Sequence, residues 1–304
     1  MRRSAWRGGF GFALLSLAAV ALCAALGMAV YNEVKDIRRT DADNLLASFQ
    51  QTIELKLKGG LGETGDLVAA LEVDPSDEAW LPAAADALLA RDEVVGVLYV
   101  VDDTMRYAFP ESDFGNMVGR DLSQFTYVFT LAKYTDGFVV EGPVTLENGV
   151  ESFVFVEPVD VDGAYHGEVA VALKADFVIE QLDLSLLEQG GYLYELWAVS
   201  PQDGRKDVIA VSDGGHDFSH AAKATFGMPS EWTLSVMPAD GWVPGLWTAA
   251  IVAVATAISL LLVGLMFLGE RTRRMERCVE RAKRTDQETG MYNFDGFVEM
   301  LEKE

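Results

Sequence analysis

Three observations predict an α+β domain of antiparallel sheets with a long leading helix, set between two membrane-crossing helices. Two long stretches carry no charge, the apolar period between them changes from helical to strand-like, and glycine-containing turn pairs punctuate the strand-like part. With 304 residues, half of them hydrophobic, the chain is long and apolar enough to bury a real core and is neither a disordered tail nor a small disulfide scaffold.

The uncharged stretches are 10–31 and 242–269. Each exceeds the roughly 20 residues that a helix needs to cross a hydrocarbon core. A cleaved signal peptide is the alternative for the first, since "MRRSAWRGG" is basic. The apolar run is longer than a signal core and leads into no small-x-small cleavage site. A lipoprotein site at Cys23 is disfavoured because Leu22 stands where a small residue is needed. Arg2, Arg3 and Arg7 precede the first run, and "ERTRRMERCVERAKR" after the second carries seven basic residues against three acidic. The positive-inside rule therefore puts both ends in the cytoplasm, with Trp242 and Trp247 at the outer interface, and the middle outside.

The middle, 32–241, holds 38 acidic and 13 basic residues, a net charge of about −25. Such a surface repels nucleic acid and anionic lipid. Cys23 and Cys278 both fall outside it, so its stability has to come from packing rather than disulfides.

Within the middle, Leu45, Phe49, Ile53 and Leu57 recur every four residues, one stripe of a helix ending at the glycines of "GGLGETG". Such a stalk packs on a partner helix, on its own domain, or on both. "EAWLPAAADALLAR" reads as a second helix from its alanine and leucine content. "VVGVLYVVDD" and "RYAFP" read as a strand, a turn and a returning arm, and the segment from Asp136 to Val178 as short strands broken at Asn148-Gly149 and Asp162-Gly163. A helix follows at "DFVIEQLDLSLLEQG", and three further strands make a second lobe. Helix first and antiparallel sheet second is the order of a PAS-like α+β domain.

Five segments carry a family resemblance: "YAFPESDFGNMVGRDL", "TDGFVVEGPVTL", "FVFVEPV", "GEVAVALKADFVIEQL" and the late "GYLYELW…WTLSVMPADGW". In their order and spacing, residues 94–242 resemble a CHASE domain, the extracytoplasmic sensory module of bacterial and plant receptors. The resemblance implies a long stalk helix, two stacked PAS-like lobes and a small ligand held in the membrane-distal lobe. The arginine-rich character of some members is absent, so no particular ligand follows. The last residues, "TDQETGMYNFDGF", resemble the opening of a GGDEF domain: Asp286, Thr289, Gly290, Asn293 and Phe297 match it, while Glu288, Met291 and Phe294 replace its usual Leu, Leu and Arg.

Candidate chemistry is sparse. His216 and His220 are four apart, as in a zinc-binding helix, but glycines precede them and no third ligand is near, which favours a polar loop. No nucleophile elbow or phosphate-cradling loop appears, which disfavours an anchored hydrolase, and Asp102-Asp103 or Glu157 with Asp160 do not stand out in so acidic a chain. Tyr127, Phe138, Phe153 and Phe155 cluster around the expected central strands, where aromatic side chains line either a pocket or a core. The CHASE resemblance places Leu146, Phe155 and Glu157 near a ligand. Met275, Cys278 and Ala282 give a short coiled-coil seam, with a basic anchor at the lipid headgroups as its competitor.

The expected organisation is a cytoplasmic start at 1–9, spans at 10–31 and 242–269, a stalk at 32–58, a distal lobe at about 75–185 and a proximal lobe at about 190–241. A signalling helix at 270–285 and the truncated start of a GGDEF-like domain at 286–304 follow. The expected partners are a small molecule or short peptide outside the cell, the bilayer, and a second copy through the stalk and signalling helices. No cofactor or nucleic acid is expected. The chain as given is expected to make no cyclic dinucleotide; the opposing reading is a piece of an active membrane-bound diguanylate cyclase.

Overall fold

The structure, a computed structural model, describes residues 2–61, 63–121, 127–135, 137–199, 204–227, 231–284, 291, 293, 294 and 297. Asp286, Thr289 and Gly290 lie outside the described residues. The chain divides into two units, Met1–Ile37 with Val243–Glu304, and Arg38–Trp242.

The first unit consists of the start of helix α1 (Arg2–Lys56) together with helix α8 (Gly245–Arg284). Both are long and apolar enough to cross a membrane. Leu15, Leu17, Leu22, Leu260 and Leu261 are exposed on them, as side chains facing hydrocarbon would be. A Cβ added to Gly27 would sit 3.5 Å from the Ala255 methyl, so a small residue here permits close helix approach.

The second unit is α+β with two antiparallel sheets. The remainder of α1 ends in a π-helical turn, Leu57–Leu61, at the glycines expected to stop it. Helices α2 (Thr64–Val73) and α3 (Leu81–Leu89) follow. Strands β1 (Val94–Val101) and β2 (Thr104–Phe109) form a hairpin whose turn residues, Asp102 and Asp103, have φ of 47° and 63°. Two left-handed residues suit the twist of a two-residue hairpin, and Asp tolerates that conformation.

After α4 (Glu111–Phe114) and a 3₁₀ turn comes α5 (Tyr127–Tyr134), then β3 (Val139–Thr145), β4 (Glu151–Val161) and β5 (Ala164–Lys174). The five strands are ordered β2-β1-β5-β4-β3. The single helix expected after them is two, α6 (Ala175–Gln181) and α7 (Ser185–Gln189), separated at Asp183, whose φ is 54°.

The second sheet, ordered β7-β6-β9-β8, has four strands where three were expected: β6 (Tyr192–Val199), β7 (Lys206–Val211), β8 (Ala222–Gly227) and β9 (Glu231–Pro238). "KATFGMPSEWTLSVMPADGW" supplies two of them, and the modest apolar content of β8 hides the first.

The five-stranded sheet is packed on both faces. One face carries Val97, Tyr99, Phe153, Phe155, Val169 and Val171, and it joins a core with Ala42, Leu46, Ile53 and Leu57 of α1 and with α2 and α3. The stalk thus packs on its own domain. Its stripe is turned slightly from the expected one, with Ala42 and Leu46 fully buried while Leu45 and Phe49 are only partly so. The same core continues into the second sheet through Leu196, Trp232, Leu234 and Val236, and the rings of Phe153 and Trp232 meet at 5.7 Å. Arg38 Nη1 donates to Asp240 Oδ1 at 2.7 Å, and Lys56 Nζ to the Gln181 carbonyl at 2.7 Å, so both ends of this part of α1 are tied down.

The opposite face carries Leu98, Val100, Met105, Ala108, Val154, Val156, Ala170 and Ala172, with Phe114, Met117, Val128, Phe129 and Ala132 against it. Val128, Phe129 and Ala132, at i, i+1 and i+4, form the buried side of α5.

Candidate ligand-binding site

The alternation of β4 puts three of the expected site residues on one face of the sheet, and two others lie elsewhere. Phe153 and Phe155 are fully buried on the face toward α1, and Phe138 packs on Phe155 with ring centres 5.7 Å apart. Glu157 shares that face and accepts a 2.6 Å hydrogen bond from Thr64 Oγ1 at the start of α2. These four side chains come together in the core between sheet and stalk. Tyr127 does not join them: it begins α5, is 59% exposed, and lines a crevice of about 710 Å³ with Val144, Val208 and Trp232. Leu146, after β3, packs half-buried on the cluster at the other face.

Polar chemistry collects on that other face, at the end of the sheet nearest the β1–β2 turn. Along β5 the side chains of Glu168, Ala170 and Ala172 alternate to this side, and Glu168 is completely buried. On β5, Gly167 and Tyr165 pair with the consecutive residues Val159 and Asp160 of β4, so one extra residue, His166, bulges out. A bulge reverses the alternation, bringing Tyr165 to the same side as Glu168 although they are three apart. Gly167 is required there, because a Cβ would lie 2.0 Å from the Val100 carbonyl oxygen of the neighbouring strand.

The hairpin turn brings Asp103 to this cluster from β1–β2, and the last turn of α5 brings Lys133. Lys133 Nζ donates to Asp103 Oδ2 at 2.5 Å and stands 5.1 Å from the centre of the Tyr165 ring, in cation–π range. Among the described residues, Asp103 Oδ1, the Tyr165 hydroxyl and both Glu168 carboxylate oxygens are buried without a hydrogen-bond partner in good geometry. Burial, reinforced by the Asp103 carboxylate and opposed by Lys133 and the nearby Tyr165 hydroxyl, pushes Glu168 from 4.5 up to about 8. Burial and then the Glu168 charge raise Tyr165 as well, and the Asp103 hydrogen bond raises Lys133.

A carboxylate enclosed in this way is costly unless it is protonated or meets a donor. The arrangement therefore offers several acceptors and one ring face to a hydrogen-bond donor or cation. Sequence reasoning set Asp103 aside as one acidic residue among many and passed over Tyr165, Glu168 and Lys133. One signal was present: Glu168 is the sole charge in "GEVAVAL", a run otherwise fit for a buried strand.

Elsewhere, His216 bonds Asp213 at 2.9 Å in an exposed loop, and the described residues contain no group of three or more His, Cys, Asp or Glu able to hold a metal.

No family model matches the chain, and no curated protein matches it. Solved structures do. An extracellular ligand-binding receptor from Desulfohalobium retbaense is similar at 12% identity over 66% of this chain and 39% of its own length, with a TM-score of 0.42. The ligand-binding domain of the Pseudomonas aeruginosa amino acid chemoreceptor PctC, in complex with GABA, is similar at 16% identity over 64% of this chain and 95% of its own, with a TM-score of 0.44. The sensory domain of the Campylobacter jejuni chemoreceptor Tlp3, with isoleucine bound, is similar at 12% identity over 69% of this chain and 96% of its own, with a TM-score of 0.47.

Proposed function

We propose that this protein is a membrane-anchored sensory receptor. Its central domain, of the CHASE-like type that the sequence resembles, binds a small molecule outside the cell on the helix-covered face of the five-stranded sheet. The observation that carries the reading is the buried Glu168, neither of whose oxygens takes a hydrogen bond in good geometry, with Tyr165, Asp103 and Lys133 beside it beneath α5. Folded proteins pair nearly all their buried polar groups, so an exception calls for an explanation, and strongly shifted titratable groups cluster at functional sites. The apolar helices that bracket the domain supply the anchor, with both termini cytoplasmic by the basic flanks. Output is of the GGDEF type, and two copies associate through their stalk and signalling helices.

A thermal-shift screen of the full chain in detergent micelles tests the reading. Small molecules of one chemical class should raise the melting temperature in a saturable way, because a ligand that binds only the folded state stabilises it. A screen in which no class does so refutes it. Reporters after Gly9 and Arg284 should be cytoplasmic and one inserted at Gly214 external; an internal signal from Gly214 overturns the topology.

A further inference from the structure

We propose that this site is an ammonium subsite, occupied in the free protein by the Lys133 ammonium, and that the ligand carries an organic ammonium group which takes that place. The inference rests on the receptor reading above and adds the chemical class of the ligand.

The parts are those that recognise R–NH₃⁺. Asp103 provides a negative oxygen, Glu168 a buried carboxyl that can accept a hydrogen bond and that ionises more readily beside a cation, and the Tyr165 ring a face for that cation. An ionised Asp103 with a second carboxyl group beside it is unsuited to an anion. Lys133 leaves the arrangement incomplete: its ammonium has three N–H donors, yet it bonds Asp103 Oδ2, while Asp103 Oδ1 and both Glu168 oxygens receive no hydrogen bond in good geometry among the described residues, although the Tyr165 hydroxyl stands near Glu168. A tethered amine is limited by its stem, which runs back to α5. A free one has no such limit and bonds Glu168 and Asp103 together.

Lys133 is also placed to leave. It lies in the last turn of α5, its side chain is 29% exposed, and the next residue, Tyr134, is 78% exposed. The buried side of α5 is made by Val128, Phe129 and Ala132, so the lysine can swing into solvent without uncovering the helix's apolar contacts. The exchange replaces one ammonium by another, so the Asp103 carboxylate keeps a counter-charge throughout. What changes is the tie between α5 and the β1–β2 turn, which Lys133 to Asp103 makes only in the free state.

The test uses n-propylammonium as probe and n-butanol as its uncharged counterpart, on the full chain in micelles, reading the melting temperature against concentration. The expected result is a saturable rise with propylammonium in wild type. It should occur at several-fold lower concentration in Lys133→Ala, because removing an internal competitor removes the reduction it imposes on the apparent affinity. No rise is expected in Glu168→Gln or with n-butanol. Glu168→Gln keeps the shape of the buried side chain, and a cooperative melt of that variant confirms that it folds. The proposal is overturned if Lys133→Ala takes no propylammonium, or if Glu168→Gln responds as wild type does. If it is overturned while another class of small molecule still shifts the wild-type melt, the receptor reading stands and only the ammonium subsite falls.

Discussion

Replacing Glu168 by glutamine should flatten the pH dependence of stability. In the fold Glu168 titrates near 8 instead of 4.5, chiefly through burial. A carboxyl raised in this way binds its proton more tightly folded than unfolded. Its contribution is therefore fully present below pH 4.5 and is lost as pH rises toward 8, since the unfolded chain gives up the proton first. The interval from 4.5 to about 8, at about 1.4 kcal/mol per unit, sets an upper bound on the order of 4–5 kcal/mol. Relaxation of the site around the charge brings the effect below that bound. The other groups facing Glu168 are Asp103 from the β1–β2 turn, Lys133 from α5 and Tyr165 from its own strand, and all are common to both proteins. The difference between wild type and Glu168→Gln consequently isolates this one carboxyl. Denaturant unfolding of the full chain in micelles at pH values from 5 to 9 measures it. Wild type should lose stability steadily across that range relative to the variant, and at pH 9 the variant should be the more stable. Parallel curves would refute the argument and show that Glu168 is solvated or otherwise paired.

Four further outcomes are expected. Phe155→Ala should cost about 3–5 kcal/mol, because its ring is fully buried between sheet and stalk; differential scanning calorimetry reads the loss, and Phe155→Asp should fail to fold rather than lose a ligand selectively. Gly167→Ala should cost about 1–3 kcal/mol, since its methyl would collide with the Val100 carbonyl; an unchanged denaturation midpoint would show that the strands separate freely. Moderate salt should raise the melting temperature by relieving repulsion within the acidic middle segment, and a fall with added salt would contradict that. Purified chain with GTP and magnesium should yield no cyclic di-GMP, measured by chromatography; a product that tracks the protein through purification would reverse that expectation.

The sheet was legible because its strands are marked at both ends. Asp102-Asp103, Asn148-Gly149 and Asp162-Gly163 specify turns by backbone conformation, and the runs between them are apolar enough to be strands. Helix α5 was not: "YVFTLAKY" is short and rich in aromatic and β-branched residues, so its helical state comes from docking Val128, Phe129 and Ala132 on the sheet. The same limit applied to the candidate site. Phe153 and Phe155 are conspicuous as residues, but the face on which a strand presents them depends on register and on what covers each side. Tyr165 and Glu168 share a side only because His166 bulges, and Lys133 arrives from an element with no clear sequence signal.

The ring contact between Phe153 and Trp232 has a consequence for how the domain opens. Leu173 and Val171 of the first sheet belong to the same buried cluster as Leu234 and Val236 of the second, with the α1 side chains Leu46 and Ile53 among them. Sheets that share a core in this way lose their shielding from solvent together, as one cooperative block, and not lobe by lobe. Amide protons in β6 and β9 should then exchange at the same rate as those in β4 and β5 under conditions where exchange requires global unfolding. A small molecule seated only on the first sheet would slow all four strands alike, registering in a sheet it never touches.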